Sequence, residues 1–422
     1  MTATSGHLRL AVTRIASGTL IAQAAALAVS PIVSRLFTPD AFGAFAVYVA
    51  VLGVLIPIAS LRYEMAIPIA PDDGEAAAVF RLAGLILAGV VALFAGAALL
   101  RLPVASFLGL PATSPVPLLL PLGLLLAGLV QLTSAWAIRR RAYPGLAAAR
   151  MTQGATQAGA QVATGGIGIP AGLIGADLLG RLAGLLMLSR RTNPPWKQLA
   201  SGTAALPAVR VTAHRYRGFA LLTGPAGLFN ALVLALPAVM IVRLYGMEAG
   251  GGYGFGLRLF AAPLTLASQA VGQVFQAEAA SALREGGNAL ALFDRAALRL
   301  AIGGLALAAV ALAAPWFFPP VFGPEWEPAG QMVRLLAPTF AAEAVVSPLS
   351  TSAILARRPE LELGASLLRV VVVIAVFAAA TIAAWSLPRT LVVYAAAMVA
   401  TYAVFFLLYR RSLRPAAVPQ GV

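Results

Sequence analysis

The sequence predicts an all-helical integral membrane protein, and its composition, its long apolar runs and its charge placement all indicate that class. Of its 422 residues, 60% are hydrophobic and only 11% are charged, and the mean hydropathy is +0.88. Soluble domains typically carry about a quarter charged residues. Only helices and closed barrels satisfy their backbone in lipid, and no segment alternates apolar and polar residues as barrel strands do. The spans are therefore predicted to be helices.

Twelve apolar windows are long enough to cross a hydrocarbon core, which requires roughly 20 residues in a helix. The first begins at Ile15 and is too long for the core of a secretory signal, so we expect it to remain as a span. The windows cover approximately 15–36, 41–60, 79–100, 116–138, 150–168, 170–189, 218–242, 252–277, 297–318, 329–350, 366–386 and 390–409.

Basic residues mark one side of this arrangement as cytoplasmic. With an inside N-terminus, most of the 30 lysines and arginines fall in inner loops and tails. The outer connections hold Arg35, Arg101, Arg243 and Arg389, and the interiors of the spans hold Arg181, Arg258 and Arg334. Both termini are therefore predicted to be cytoplasmic. The net charge of +15 suits loops that front anionic lipid, so it does not indicate a nucleic-acid partner.

One phrase of the sequence occurs twice. RLFTPDAFGAF, residues 35–45, returns 208 residues later as RLYGMEAGGGY, residues 243–253. Each copy follows the first span of a six-span half and leads into the next span. Because six is an even number, both halves cross the membrane in the same direction. This arrangement predicts two six-helix lobes related by a pseudo-two-fold axis along the membrane normal.

The longest polar connection separates these halves. It contains Pro194, Pro195 and six basic residues with weak periodicity, as a flexible cytoplasmic linker would. The predicted domains are an N-terminal lobe at 1–190, a cytoplasmic linker at 191–217, a C-terminal lobe at 218–410 and a cytoplasmic tail at 411–422. An internal pseudo-dimer of this kind favours a monomer.

Residues 18–77 carry three features that resemble a known family. These are SRLFTPDAFG at 34–43, LRYEMAI at 61–67 and DDGEAA at 72–77. They are similar to the opening of bacterial flippases for O-antigen, capsule and exopolysaccharide, which belong to the multidrug/oligosaccharidyl-lipid/polysaccharide exporter (MOP) superfamily. The sequence departs from the family pattern at Ala41, where a second acidic residue is more frequent.

The resemblance implies a function as well as a fold. It implies two lobes around a central cavity, and transport of an undecaprenyl-diphosphate-linked oligosaccharide from the cytoplasmic to the outer leaflet of the cell inner membrane by alternating access. The membrane lipid and the lipid-linked substrate would be its partners, with polymerase and glycosyltransferases of the same pathway as further candidates. No cofactor is implied.

Four arginines are candidates for contact with the diphosphate, because guanidinium stays charged and donates several hydrogen bonds at once. Arg258, in the apolar stretch GFGLRLF, either lines the cavity or snorkels to the outer interface. Arg14, at the inner mouth of the first span, either gathers substrate or is an ordinary anchor of the basic side. Arg35 and Arg243 either form an outer cationic ring or are structural. In the structural role they would bond carbonyls at helix ends or pair with Asp40 and Glu248.

Two rows of glutamines share helical faces and are candidates for contact with sugar hydroxyls. Amides suit this role because they both donate and accept, although they also hydrogen-bond neighbouring helices in membranes. The fifth span carries Gln153, Gln157 and Gln161, and the eighth carries Gln269, Gln273 and Gln276.

Asp177 and Arg181 lie one helical turn apart in the sixth span, a spacing that favours an ion pair. The pair is either structural or a switch coupled to protons or ions. Pro57 and Pro263 lie at near-equivalent points of the second and eighth spans. Each removes a backbone hydrogen bond, so each could form a kink used in gating.

Three other functions agree less well with the sequence. A cation-coupled multidrug (MATE-like) exporter usually has an acidic residue in its first helix pair, and 15–36 and 41–60 hold none. A membrane polymerase or ligase usually displays a large outer loop, but the outer loops here are short. A lipid II flippase usually carries about two extra spans. No nucleophile–base arrangement, nucleotide loop or metal-ligand spacing is found. The sequence therefore predicts a transporter, with no enzyme activity, metal or cofactor.

Overall fold

A computed structural model describes residues 23–100, 103–169, 171–197, 206–285, 287–356, 358 and 360–413, and every regular element in these ranges is helical. The chain falls into two compact units, Met1–Gly251 and Gly252–Val422. The boundary lies inside one long helix. The division at 191–217 into two six-helix lobes stays a prediction.

The first unit contains helices α1 to α9 and the start of α10. Its helices are α1 (23–36), α2 (Pro39–Ala59), α3 (Asp73–Leu99), α4 (Val104–Phe107), α5 (Val116–Arg139), α6 (Tyr143–Gly166), α7 (Gly172–Thr192), α8 (Leu206–Arg215) and α9 (Gly224–Tyr245). A 3-10 turn at Tyr63–Ile69 joins α2 to α3, and a π-helical turn at Phe219–Thr223 leads into α9.

The long helix α10 (Met247–Arg284) continues into the second unit. The remaining helices are α11 (Ala289–Leu312), α12 (Ala314–Phe322), α13 (Glu327–Leu349), α14 (Thr351–Leu355), α15 (Glu360–Ile382) and α16 (Leu387–Ser412). An aromatic cluster in this unit packs α10 against α12 and the start of α13. Phe255 lies with its ring centroid 4.3 Å from Trp326 and 5.1 Å from Phe322.

The predicted class, an all-helical membrane protein with multiple spans, is confirmed. In the described ranges nine helices are long and apolar enough to cross a membrane. They correspond to all the predicted spans except the first, fifth and eighth. The fifth and eighth are present as α6 and α10, which carry the glutamine rows and are therefore less apolar. The first span lies partly outside the described residues, and Arg14 lies wholly outside them. The total of twelve spans stays a prediction.

The twice-written phrase forms the start of a helix in each copy. In the first copy Thr38 caps α2, its hydroxyl accepting from the Ala41 amide, and Pro39 occupies the first turn. Asp40 adds a negative charge at the helix N-terminus, where the helix dipole favours it. In the second copy Gly246, with φ of 91°, ends α9, and Glu248 lies in the first turn of α10.

The two copies pack directly against one another through equivalent glycines. A Cβ on Gly43 would collide with the backbone carbonyl of Met247, and a Cβ on Gly251 would collide with the carbonyl of Pro39. Met247 and Gly251 lie 208 residues after Pro39 and Gly43, the offset of the repeat. In this contact each copy presents the same glycine to the same position of the other, as the predicted two-fold relation between the copies would require.

The connection between α7 and α9 is not wholly the flexible linker that the sequence suggested. From Leu206 it forms α8, which packs on α3, with Tyr216 and Phe219 against the cluster around Phe80. The Tyr63 hydroxyl donates to the Ala213 carbonyl at 3.1 Å, and Arg215 pairs with Glu75 at 2.9 Å. The proline and basic residues suggested flexibility, but the segment is amphipathic, and its apolar side packs against the end of α3.

Candidate functional site

A polar network of three residues joins two membrane helices of the first unit, α2 and α7. The Arg181 Nε donates to Asp177 at 2.6 Å, so the predicted ion pair between these two residues of α7 is confirmed. The sequence did not predict its third member. The Tyr48 hydroxyl, on the fully buried side chain of α2, donates to the same carboxylate at 3.2 Å. A lone carboxylate at this depth would be costly, and these donors neutralise and solvate it.

Gly123 of α5 completes the setting of this network. A Cβ at Gly123 would collide with the Tyr48 hydroxyl. Any larger residue would therefore displace the hydroxyl from Asp177. The sequence did not predict a role for Gly123, because that role depends on the contact between α5 and α2.

The glutamines of α6 face a close helix contact. A Cβ on Gly180 of α7 would lie 2.8 Å from the Gln157 Cβ, and one on Gly184 would lie 3.0 Å from the Gln153 Cβ. Gln161, two turns beyond Gln153, is buried. Small residues at this spacing allow membrane helices to approach closely. The glutamines of α6 therefore lie at a close contact with α7, and both alternatives for them, substrate binding and interhelical hydrogen bonding, stay predictions.

A second buried carboxylate lies at the basic end of the first unit, outside the membrane spans. Glu64, in the 3-10 turn after α2, accepts hydrogen bonds from the Ser60 hydroxyl and from Gln131 of α5. Burial raises the pKa of the Glu64 carboxyl above its usual value, although the bonds from Ser60 and Gln131 and the charge of Arg62 oppose the shift. Glu64 belongs to the LRYEMAI feature. The resemblance marked this segment, but it did not predict a buried carboxylate there.

One basic residue, Arg139 at the end of α5, holds the same turn in place. Arg139 donates to the carbonyl oxygens of Ala70 at 2.6 Å and Ile67 at 3.2 Å, and it pairs with Asp73 at 2.9 Å. An arginine from the end of α5 therefore satisfies backbone groups that the short turn leaves open. The ion pair with Arg139 gives Asp73 of the DDGEAA feature a structural role.

The second unit has a polar network of its own, built from four helices. The buried Tyr253 of α10 interacts electrostatically with Tyr394 of α16, and the buried Tyr402 of α16 interacts electrostatically with Arg369 of α15. Arg369 also donates to Ser366 at 3.3 Å. Glu343 of α13 interacts electrostatically with Arg369, and in the described residues the two form no direct ion pair. The structure therefore identifies Arg369 as an electrostatic partner of Glu343.

Three of the four arginines predicted to contact the diphosphate lie within the described residues. Arg243 donates to the carbonyl of Phe107, the last residue of α4, at 3.1 Å, and stacks over the Phe107 ring. This is the predicted helix-end carbonyl contact, not a pair with Glu248. Arg35 is exposed near the end of α1 and Arg258 is half-buried in α10.

Gln273 is exposed and Gln276 half-buried on α10, whereas the side chains of Gln269 and Pro263 lie outside the described part. Pro57 is buried two residues before the end of α2. The roles of all these residues in substrate binding or gating stay predictions.

Each unit contains a pocket that described residues line. One, of about 510 Å³, lies in the first unit where α1 meets α2 and where α6 meets α7, and Thr38, Asp40, Ser114 and Met247 are part of its wall. The other, of about 210 Å³, lies between α10 and α11 in the second unit. Neither is lined by any of the predicted substrate or ion-coupling residues.

The arrangement of helices matches solved membrane transporters. An inward-facing multidrug resistance MATE family transporter of the MOP superfamily aligns over 96% of this chain and 98% of its own, with a TM-score of 0.69 and 14% identity. The lipid II flippase MurJ, in an inward closed conformation, aligns over 93% of this chain and 86% of its own, with a TM-score of 0.73 and 10% identity. A MOP superfamily transporter from Pyrococcus furiosus aligns with a TM-score of 0.54 and 14% identity, over 96% of this chain and 95% of its own.

These likenesses define the class by its fold: a multi-pass, all-helical membrane protein with the fold of the MOP superfamily transporters. The family follows from the sequence. Residues 32–331 match the model of a family described as polysaccharide biosynthesis protein, and the chain belongs to that family. A search of curated protein sequences finds no match.

Proposed function

We propose that this protein flips an undecaprenyl-diphosphate-linked oligosaccharide from the cytoplasmic to the outer leaflet of the cell inner membrane, for surface polysaccharide synthesis such as O-antigen, lipopolysaccharide or exopolysaccharide. The observation that carries the proposal is the combination of family and fold. A chain of the polysaccharide biosynthesis family has the fold of a superfamily that contains a lipid flippase. In such a pathway the step that requires a membrane transporter is movement of the lipid-linked sugar.

The physical problem in that step is the headgroup. A diphosphate and its sugars are very costly to place in hydrocarbon, so the protein has to supply a polar and cationic route. Arg258, half-buried in α10, is the leading candidate for contact with the diphosphate, with Arg14 for collecting it. Arg243 is less suited, because its guanidinium already bonds and stacks on Phe107.

The reciprocal glycine contact provides an alternating-access gate for this proposal. Gly43 and Gly251 hold the starts of α2 and α10 together at the end opposite the basic loops. Closure there would leave the substrate path open only to the cytoplasmic side. Opening would require the two copies of the repeated phrase to separate, and glycine permits a close contact that carries no interlocking side chains.

Loss of the protein tests the substrate. A strain that lacks it should accumulate the lipid-linked glycan on the cytoplasmic leaflet and lose its surface polysaccharide, and the intact gene should restore both. Arg258→Gln should fail to restore, whereas Arg258→Lys should restore in part because it keeps the charge. Normal surface glycan in the deletion strain would contradict the proposal.

Bulky substitutions test the gate. Gly43→Val and Gly251→Val should abolish transport with expression retained, whereas Gly53→Val should be tolerated, because a Cβ at Gly53 of α2 meets nothing within 4 Å. The chain has no cysteine, so a single Ala44→Cys label can report access from outside. Labelling by an impermeant maleimide should rise in the Gly43→Val variant. Equal labelling and normal transport would exclude this contact as a gate.

A cation-coupled multidrug exporter is the second candidate, favoured by the likeness to the MATE family transporter. The same deletion strain separates the two functions. Drug sensitivity with an unchanged surface glycan would support the exporter. Against it stands the lack of any aspartate or glutamate in 15–36 and 41–60, the first predicted helix pair, where such exporters usually have an ion-binding carboxylate.

A further inference from the structure

The pocket between α10 and α11 has the features of a phosphate site at the membrane surface. Its walls are formed by Glu278 of α10 and by Arg295 and Arg299 of α11, with Val274, Phe275 and Leu292 as apolar lining. Arg295 and Arg299 are one helical turn apart, so both guanidinium groups project from the same face of α11.

The position of these arginines along α11 corresponds to a headgroup region. Asn288 caps the helix, its side chain accepting from the Ala291 amide at 2.9 Å. After Arg299 the sequence carries no charged residue until Glu325. The two guanidinium groups therefore lie where the hydrocarbon begins, on the side that carries the basic loops.

The pocket has cationic capacity that the described protein does not use. Arg299 has no hydrogen bond or ion pair with any described residue, and Arg295 donates only to the Ala291 carbonyl, at 3.3 Å. The nearest acid along the helix, Asp294, is already engaged by Arg410 through two bonds of 2.8 Å. Glu278 is the one carboxylate in the pocket wall, so two positive charges face one negative charge.

An apolar strip runs from the arginines toward the membrane centre. Leu298, Ile302 and Leu305 follow at helical spacing and are 65%, 63% and 66% exposed, and Val274 on α10 is 57% exposed. In a bilayer these side chains face acyl chains. A cationic pocket at the interface with an exposed apolar strip beside it is complementary to one kind of molecule, an anionic lipid.

We propose that Arg295 and Arg299 bind the phosphate headgroup of an anionic lipid from the leaflet on the basic side, with its chains along Leu298, Ile302 and Leu305. The two guanidinium groups each present a planar set of donors to phosphate oxygens. The site is separate from the residues proposed for the transported substrate, and it does not depend on what is transported. It would fix the α10–α11 end of the second unit in the bilayer.

The test uses the full-length protein and three probes. Its thermal unfolding is measured in detergent with added phosphatidylglycerol, phosphatidylcholine or inorganic phosphate, and lipid binding is counted by native mass spectrometry. Phosphatidylglycerol should raise the unfolding temperature and phosphatidylcholine should not. Removal of each arginine, by Arg295→Gln or Arg299→Gln, should weaken phosphatidylglycerol binding about fivefold, since one basic residue near an anionic surface contributes about 1 kcal/mol.

Matched variants separate the pocket from general charge. Arg284→Gln removes an exposed basic residue from the last turn of α10, outside the pocket, and should leave binding unchanged. Glu278→Gln should tighten binding by removing the opposing charge. Arg295→Lys with Arg299→Lys keeps the charge and the fold and should bind more weakly than the natural protein.

Two outcomes would overturn the assignment. One is a double glutamine variant at Arg295 and Arg299 that binds phosphatidylglycerol as the natural protein does. The other is equal protection by inorganic phosphate at the same concentration, which would remove the role of the lipid chains.

Discussion

The two units of the molecule hold their intramembrane charges in different ways. In the first unit Asp177 and Arg181 belong to the same helix and pair directly at 2.6 Å. In the second unit Glu343 and Arg369 belong to different helices, α13 and α15, and interact without a direct ion pair in the described residues. Both units then recruit buried tyrosines from neighbouring helices, Tyr48 in the first and Tyr402 in the second.

The difference teaches which charges depend on helix packing. A pair within one helix stays neutral wherever the helix goes, because the spacing of its members is fixed by the helix itself. A pair shared between helices exists only while those helices keep their positions. The second unit's network therefore has the properties of a contact that changes when helices move, whereas that of the first unit is suited to a rigid body.

Loss of the carboxylate in the first unit should have the largest effect. Asp177→Ala leaves the partly buried Arg181 uncompensated, and breaking a buried pair in this way costs on the order of 3 kcal/mol of unfolding free energy. Thermal unfolding in detergent measures it. The double variant Asp177→Ala with Arg181→Leu should recover most of the loss, and a double variant no more stable than the single one would refute neutralisation as the role of the pair.

Close packing of α6 on α7 should rank second. Gly180→Leu forces a side chain into the space held by Gln157, and overpacking of this kind costs about 2 kcal/mol. Gly175→Leu on the same helix serves as the control, because a Cβ there meets nothing within 4 Å. Equal unfolding temperatures for the two variants would show that the contact is not tight.

The same contrast explains how much the sequence could predict. The Asp177–Arg181 pair was predictable because helical periodicity alone brings its members together. The helix start at Thr38 and Pro39 was predictable in kind, since capping residues act on their own helix. Tyr48, Gly123 and the partner of Glu343 were not, because they meet across helices whose packing no local pattern encodes.

The contact between the two copies of the repeated phrase was predictable only in part. Its recurrence at a fixed offset predicted an internal symmetry, and the reciprocal packing of Gly43 and Gly251 agrees with that expectation at one point of contact. The sequence could not predict that the glycines themselves form the contact. Likewise, the basic and proline residues before α9 suggested flexibility, and only the apolar partner at Phe80 makes α8 a packed helix.

Neutralisation of the acid in the second unit should have a smaller effect than in the first. Glu343→Gln should change the unfolding free energy by within about 1 kcal/mol, because Arg369 keeps its bond to Ser366 and loses no direct ion pair. The matched change in the first unit, Asp177→Asn, should cost more. Thermal unfolding of both variants under one condition compares them, and a larger loss for Glu343→Gln would reverse the distinction between the units.

The smallest effect should come from Glu64, which lies outside the spans of the first unit. Burial raises the pKa of its carboxyl in the folded protein, so folding favours the protonated form. Its contribution to stability is therefore full below the ordinary glutamate pKa and is lost as the pH rises through the raised value. Between about pH 4 and pH 8, the unfolding temperature of Glu64→Gln should fall less than that of the natural protein. The amide keeps one acceptor oxygen for these bonds, where the carboxylate has two, and it cannot ionise. Parallel curves for the two proteins would mean that the carboxylate ionises at no cost, and that its bonds from Ser60 and Gln131 fully offset burial.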